Sequence, residues 1–248
     1  MGHTRAAALA ASQSLRVQDL GAHVEVRRHP GARRMTLRVS RTSRAVIVTL
    51  PVHCDLAQAG TFLSSHIDWV RERLGSLPEP VPFAAGVTMP VRGVAHMIEF
   101  SGEIRLPAVE VAGVVGEGLV LRINGDRERA PRRLNDWLVG QARGDLDQRV
   151  VWHAGRLGVR PRRITVRDQS SRWGSCSTTG LLSFSWRLVL APPAVLDYVV
   201  AHEVAHLAEM NHGPRFWALV RKTCPDMDAA RVWLRRHGTE LHRYGPSD

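Results

Sequence analysis

The residues in this sequence with most chemistry in their spacing are His202, Glu203 and His206, which stand together as HEVAH. On a helix, positions i and i+4 lie one turn apart on one face, so both imidazoles can reach one ion at about 2.0–2.1 Å. Glu203 is rotated by about 100° from His202, close enough to bond a water on that ion without being a ligand. Zinc held this way lowers the pKa of its water to roughly 7, and the carboxylate removes the proton. The pattern therefore points to a zinc-dependent hydrolase with Zn2+ as cofactor and Glu203 as catalytic base. Such a site needs a third protein ligand and an open fourth position. His212 is the first candidate, because the run Asn211, His212, Gly213, Pro214 should end the helix and turn the chain back toward the metal. Glu209, on the same face as the two histidines, and Glu240 are the alternatives.

Elements that could position these residues are legible around them. Pro192 and Pro193 are placed to open a helix from about residue 194 to 210 that carries HEVAH. Before it, RRITVRD reads as a strand, and SRWGSCS and LLSFSWRL read as a hairpin closed over Thr178, Thr179 and Gly180. Leu134, Leu138, Ala142, Leu146, Val150 and Leu157 mark one long helix that Gly158 should stop. After the motif, PRFWALVRK starts a short helix at Pro214, and a last helix runs between Asp226 and Gly238. The hairpin is the natural sheet edge for an extended substrate, and Gly174 would permit close backbone approach there or mark a bulge. Arg172 could stabilise an oxyanion or anchor the hairpin to Asp168 or Asp197. Tyr198 reads as core, Cys176 as a small buried side chain rather than an inhibitory thiolate, and Glu209 and Asp197 as partners for ligand Nδ1 atoms.

The first half has a different texture. MTLRVS and AVIVTL, at 35–40 and 45–50, read as a hairpin, and Leu56, Ala59, Leu63, Ile67, Val70 and Leu74 as one amphipathic helix over 55–74. LPEPVPF then reads as a linker, followed by strands near 87–89, 96–100 and 119–123. The fold class expected is α+β: a flexible N-terminus at 1–20, a mostly β module with one helix at 21–130, and a zincin-like catalytic domain at 131–245. No internal sequence repeat is visible.

Composition bounds the remaining choices. No apolar run approaches the roughly 20 residues of a membrane span, and the Ala-rich start is too short for a secretory signal. Cys54, Cys176 and Cys224 are odd in number, widely spaced and without a CxxC pair, which suits reduced thiols in the cytoplasm and suggests neither a disulfide framework nor a cysteine zinc cage. The formal charge of +11 is almost all arginine, with Lys222 the only lysine. Nine arginines stand in the first 44 residues against Asp19 and Glu25, a basic module that could attract nucleic acid.

RWGSCS (172–177), SFSWRLVLAPP (183–193), LDYVVAHEVAHLAEMNHGPRFW (196–217) and CPD (224–226) resemble the YgjP-type family of predicted zinc metallopeptidases, related more distantly to SprT-like proteases that act on proteins crosslinked to DNA. The likeness is dense from Arg143 to Trp233 and looser through MTLRVS, VIVTLP and HIDWV. It implies a metallopeptidase acting on protein or peptide, with His202, His206 and His212 on zinc and Glu203 as the motif glutamate. Gly213 and Pro214 depart from the pattern, standing where the family often has Ser and Lys or Arg. Two other readings compete: a metal-dependent hydrolase of nucleotide phosphoanhydrides, and a zinc-containing, nucleic-acid-associated binding module.

Overall fold

The computed structural model of the chain describes residues 13–15, 20–104, 107–115, 118–169 and 171–245. Helices and strands are mixed in it, the α+β composition expected. By contacts the chain forms two compact units, Met1–Pro78 and Glu79–Asp248.

In the first unit β1 (Gln13–Leu15), β2 (Val24–Arg28), β3 (Thr36–Val39) and β4 (Val46–Leu50) form a sheet in the order β1-β2-β4-β3. The expected hairpin is β3 against β4, antiparallel, with Thr36 opposite Thr49. Alternation puts Val46, Val48 and Leu50 on the buried face. Of the terminus expected to be flexible, residues 13–15 pair with β2, and all the rest except Leu20 lies outside the described residues. The single helix expected over 55–74 is two, α1 (Leu56–Ser64) and α2 (Ile67–Gly75). Asp55 and Gln58 close a capping box at the start of α1. At its end the Ser65 hydroxyl and His66 Nδ1 both bond the Phe62 carbonyl, at 2.9 Å each, and His66 leaves helical geometry. Apolar periodicity survives the break because both pieces pack on one core through Ala59, Leu63, Val70 and Leu74.

The second unit opens with β5 (Val81–Pro82), β6 (Thr88–Val91), β7 (Val94–Phe100), β8 (Val109–Val115) and β9 (Gly118–Ile123). Then follow α3 (Ala130–Leu157), β10 (Arg163–Arg167), β11 (Gly174–Cys176), β12 (Leu181–Ser185), a 3₁₀ turn (Trp186–Leu190), α4 (Pro193–Ala205), α5 (Pro214–Thr223), α6 (Met227–His237) and β13 (Tyr244–Gly245). Val81 and Pro82, within the expected linker, are instead a strand paired parallel with β13. The expected boundary near residue 130 has no counterpart in the packing. Met89, Val91, Ile98, Leu121 and Ile123 from β6, β7 and β9 share one core with Leu134 and Leu138 of α3 and Val200 of α4. β8 carries Gly113 and a register shift between Ala112 and Val115, which hides it from a period-two reading. The apolar stretch after β12 turns into a 3₁₀ segment because Val189 and Leu190 give their carbonyls to the main chain of Arg92 and Gly93.

One connection recurs. β2 and β4 run parallel with β3 antiparallel on the far side of β4; β7, β9 and β8 do the same, as do β10, β12 and β11. Sequence comparison along the chain shows no repeat because strand order depends on patterning and connection length, which many residue choices satisfy.

Two helices hold the functional segment. α3 buries Leu134, Leu138, Ala142, Leu146 and Val150 along one stripe and ends at Gly158, whose φ of 67° is the left-handed geometry that glycine adopts freely. α4 is tied to it through Asp197, which accepts hydrogen bonds from His153 Nε2 at 2.8 Å and from Arg149 Nε. Burial alone would raise the Asp197 carboxyl, but the hydrogen bonds and charges of His153 and Arg149 outweigh it and hold it below the usual carboxylate range. Such a group stabilises the fold above its unfolded pKa, and the contribution is lost as pH falls through the lower folded value. Replacing Asp197 by Asn should therefore destabilise the protein by about 2 kcal/mol at neutral pH. The gap to wild type should close as pH drops below roughly 4, read by urea unfolding at several pH values.

Candidate metal centre

α4 delivers His202, Glu203 and His206, and ends there rather than at residue 210, with His206 as its C-cap. The chain tightens through Leu207 N–H to Val204 O and Ala208 N–H to Ala205 O, then turns as Glu209 Oε1 accepts from Asn211 N–H at 3.2 Å. This turn swings His212 back over the helix. One ligand atom from each of His202, His206 and His212 lies within 4.8 Å of the others. His202 Nε2 and His212 Nε2 are 3.1 Å apart. The carboxylates weighed as alternatives are not in this group. Glu209 is engaged in the turn, and Glu240 pairs with Arg243 at 3.1 Å.

The orientation of the rings has local causes. His206 Nδ1 meets the main-chain carbonyl of Glu209 at 3.1 Å, so it carries the proton and leaves Nε2 with its lone pair for the cluster. The partner is therefore the Glu209 carbonyl and not its carboxylate, and Asp197 is occupied with α3. His202 Nδ1 is buried without a hydrogen-bond partner among the described residues. Phe216, fully buried at the start of α5, floors the cluster with its ring 4.9, 4.5 and 4.7 Å from those of His202, His206 and His212. Trp217 stands 5.8 Å from His202 and His212 and is itself covered by Arg231 at 4.9 Å.

Charge is handled by burial. Desolvation, with the neighbouring imidazoles of His206 and His212 and the Arg231 charge, pulls His202 down to about 4, and burial is the main cause that lowers His206. Both rings are thus neutral, the form that donates a lone pair. Burial pushes the Glu203 carboxyl up to about 7 against the opposing charge of Arg172. A divalent cation among the imidazoles would favour its anionic form. Burial, helped by Glu203, also raises the Cys176 thiol to about 11, so it is a protonated side chain that donates to the Ser177 carbonyl and not a thiolate.

The edge strand β11 passes directly against the glutamate. A Cβ built on Gly174 would lie 2.6 Å from Glu203 Cγ and 2.8 Å from Oε1, so any larger residue here must push the carboxylate aside. Sequence alone offers no signal for that pairing, since the two residues are 29 apart. Arg172 is not the hairpin's anchor: Asp168 is held bidentately by the buried Arg187 at 2.8 and 3.0 Å, and Asp197 by α3. Arg187 also donates to the carbonyls of Leu241, His242 and Tyr244, fixing the C-terminal segment to the hairpin. Tyr198 is core, 8% exposed, edge-on to His202 at 6.1 Å. Gly174→Ala should cost about 1–3 kcal/mol through overpacking and displace the Glu203 side chain. Denaturant unfolding that matched wild type would show that the contact has slack.

No curated protein matches the chain. Among solved structures, the crystal structure of the metallopeptidase zymogen of Pyrococcus abyssi abylysin aligns with a TM-score of 0.35 and 21% identity, over 40% of this chain and 98% of that one. The family model described as YgjP-like, metallopeptidase domain, matches residues 33–237, most of the sequence and all of the histidine cluster. The chain belongs to the YgjP-like metallopeptidase family.

Proposed function

We propose that the protein is a zinc metallopeptidase in which His202, His206 and His212 hold the ion and Glu203 is the general base. The observation that carries this reading is the convergence of three imidazoles beside a buried carboxylate. Tetrahedral ligands about 2.0–2.1 Å from an ion stand roughly 3.3 Å from one another, close to the 3.1 Å between His202 Nε2 and His212 Nε2. The donors are imidazole nitrogens, with burial lowering the pKa of His202 and His206, and there are three of them, the number that leaves a position open. Zinc bound here would supply Lewis acidity, acidifying water and polarising the scissile carbonyl.

The residues of the chain divide the remaining work. β11 is the outer strand of the sheet β10-β12-β11, so its free side can pair with an extended peptide. Gly174 in that strand lies against Glu203, which brings a peptide paired there beside the carboxylate. Glu203 takes the proton of the attacking water and returns it to the departing amine nitrogen as the C–N bond breaks. The Arg172 charge favours the anionic carboxylate at the start of that cycle. Three free cysteines support a reducing, cytoplasmic setting. No helix among the described residues is long and apolar enough to cross a membrane. Arg33, Arg34 and Arg38 are exposed on and just before β3 and would draw polyanions to the first unit.

Glu203→Gln should lower kcat on casein or a peptide library by about 10³-fold while zinc content by mass spectrometry stays at one equivalent. Running both proteins on nucleoside triphosphates, with and without DNA, separates this reading from phosphoanhydride hydrolysis. Undiminished peptide cleavage by the variant would remove Glu203 from the mechanism. His212→Ala should weaken zinc by more than the roughly 10- to 100-fold that loss of an outer partner costs. A chelator competition that returned wild-type affinity would reassign the third ligand.

A further inference from the structure

Beside the histidine cluster, on the His206 side, the structure forms a cavity of about 400 Å³. Its walls come from the segment after α3, the turn after β11 and the turn after α4: Arg160, then Ser177, Thr178 and Thr179, then His206 and Met210. The cavity is continuous with the edge described above. β11 begins at Gly174, against Glu203, and runs directly into Ser177 at the cavity rim, about 10 Å further along an extended chain. A peptide paired with β11 would therefore place one side chain, within about three residues of the bond being cut, over this opening.

The lining determines what that side chain can be. Arg160 is the one formally charged group in it, no carboxylate lines the cavity, and Arg160 has no ion-pair partner among the described residues. The backbone under Arg160 is held from both sides. Gly158 closes α3 in left-handed geometry with Val159 N–H bonded to Ala154 O at 3.0 Å, and Pro161 restricts Arg160 itself to extended conformations. On the opposite wall Ser177 and Thr179 share a hydroxyl contact at 2.9 Å and Ser177 Oγ accepts from Leu181 N–H, so the turn is also fixed. Thr178 is exposed at the rim. Val159, Leu207 and Met210 give the cavity an apolar side that suits a methylene stem.

We propose that this cavity is a substrate subsite that takes an acidic side chain, Asp or Glu, with Arg160 as its counter-charge. The proposal rests on the metallopeptidase reading for the phrase substrate subsite, but not for the charge preference. Arg160 is a specificity residue: it touches the substrate side chain and none of the reacting atoms.

The test uses zinc-loaded full-length Glu203→Gln, which should bind peptides without turnover. Peptides carrying a single Glu, scanned through successive positions against Gln at the same place, are measured by fluorescence anisotropy. At one position Glu should bind about two- to fivefold more tightly than Gln, the range expected of a solvent-exposed ion pair. Adding Arg160→Gln should erase the difference, and adding Arg160→Glu should reverse it in favour of Lys. Equal binding at every position, or a Glu preference that survives Arg160→Gln, overturns the subsite. The same peptides are given to the wild-type enzyme in parallel. Cleavage without acidic preference would sink the subsite and leave the peptidase standing. An Arg160-dependent preference in binding, with no cleavage of any peptide, would sink the peptidase and leave an acidic-peptide site.

Discussion

Burial of α4 is the constraint from which the site follows. Val195, Leu196, Val199, Val200, Ala201, Val204 and Ala205 are each at most 4% exposed, so apolar surface covers this helix on nearly every side. A helix of that kind belongs inside a core, packed by α3, the 3₁₀ turn and α6. Yet it carries His202, Glu203 and His206, polar groups that cost free energy to bury unless they find partners. His206 finds one in the Glu209 carbonyl; Glu203, 7% exposed, is drawn toward its neutral form; His202 Nδ1 has none. Such groups in a well-packed interior make sense when something charged is to be placed among them. A cation shared by the three imidazoles would compensate the buried carboxylate and use lone pairs that burial, at His202 and His206, keeps free of protons.

What could be read from the sequence divides along range. α3 with its stop at Gly158, the β3–β4 hairpin, α5 starting at Pro214 and the histidine spacing are all local signals, carried by residues a turn or a strand apart. The break between α1 and α2 is local too, but it is made by hydroxyl and imidazole bonds to the Phe62 carbonyl that leave apolar periodicity intact. β8 was hidden by its bulge. The pairing of β5 with β13, the Gly174 contact with Glu203, and the Arg187 network each join residues far apart, and nothing in a linear pattern reports them. The unit boundary belongs to the same class. Alternating strands before residue 130 look like the N-terminal module in texture, but their buried side chains lie in the core of α3 and α4.

The recurring parallel-plus-hairpin connection gives β11 its exposure. In each of the three sheets the middle strand of the trio lies between its parallel and antiparallel neighbours, and the hairpin strand that precedes it in sequence ends on the outside. β3, β8 and β11 are those outer strands. β8 carries a bulge, and β3 is bordered by Arg34 and Arg41 and carries Arg38, two familiar ways of blunting an edge. β11 has an arginine before it, Arg172, but no bulge and no charge within the strand: it is Gly-Ser-Cys, and its own residues leave the edge open for pairing.

The departure at Gly213 and Pro214 can be judged on the same geometry. A Ser at 213 could cap the helix that follows, α5, through its side chain, and Gly213 has no such cap. Pro214 at the first helical position offsets this, because its missing N–H is one that no intrahelical carbonyl would have met and its fixed φ already suits the helix. The turn is held from its other end as well, by Gly213 N–H to Asn211 O at 2.7 Å and by Asn211 N–H to the Glu209 carboxylate. His212 lies within the first of these bonds, with Phe216 beneath its ring. Position 212 is therefore held by a main-chain bond that spans it and by the Glu209 carboxylate on its N-terminal side, and neither bond uses a side chain of the two substituted residues.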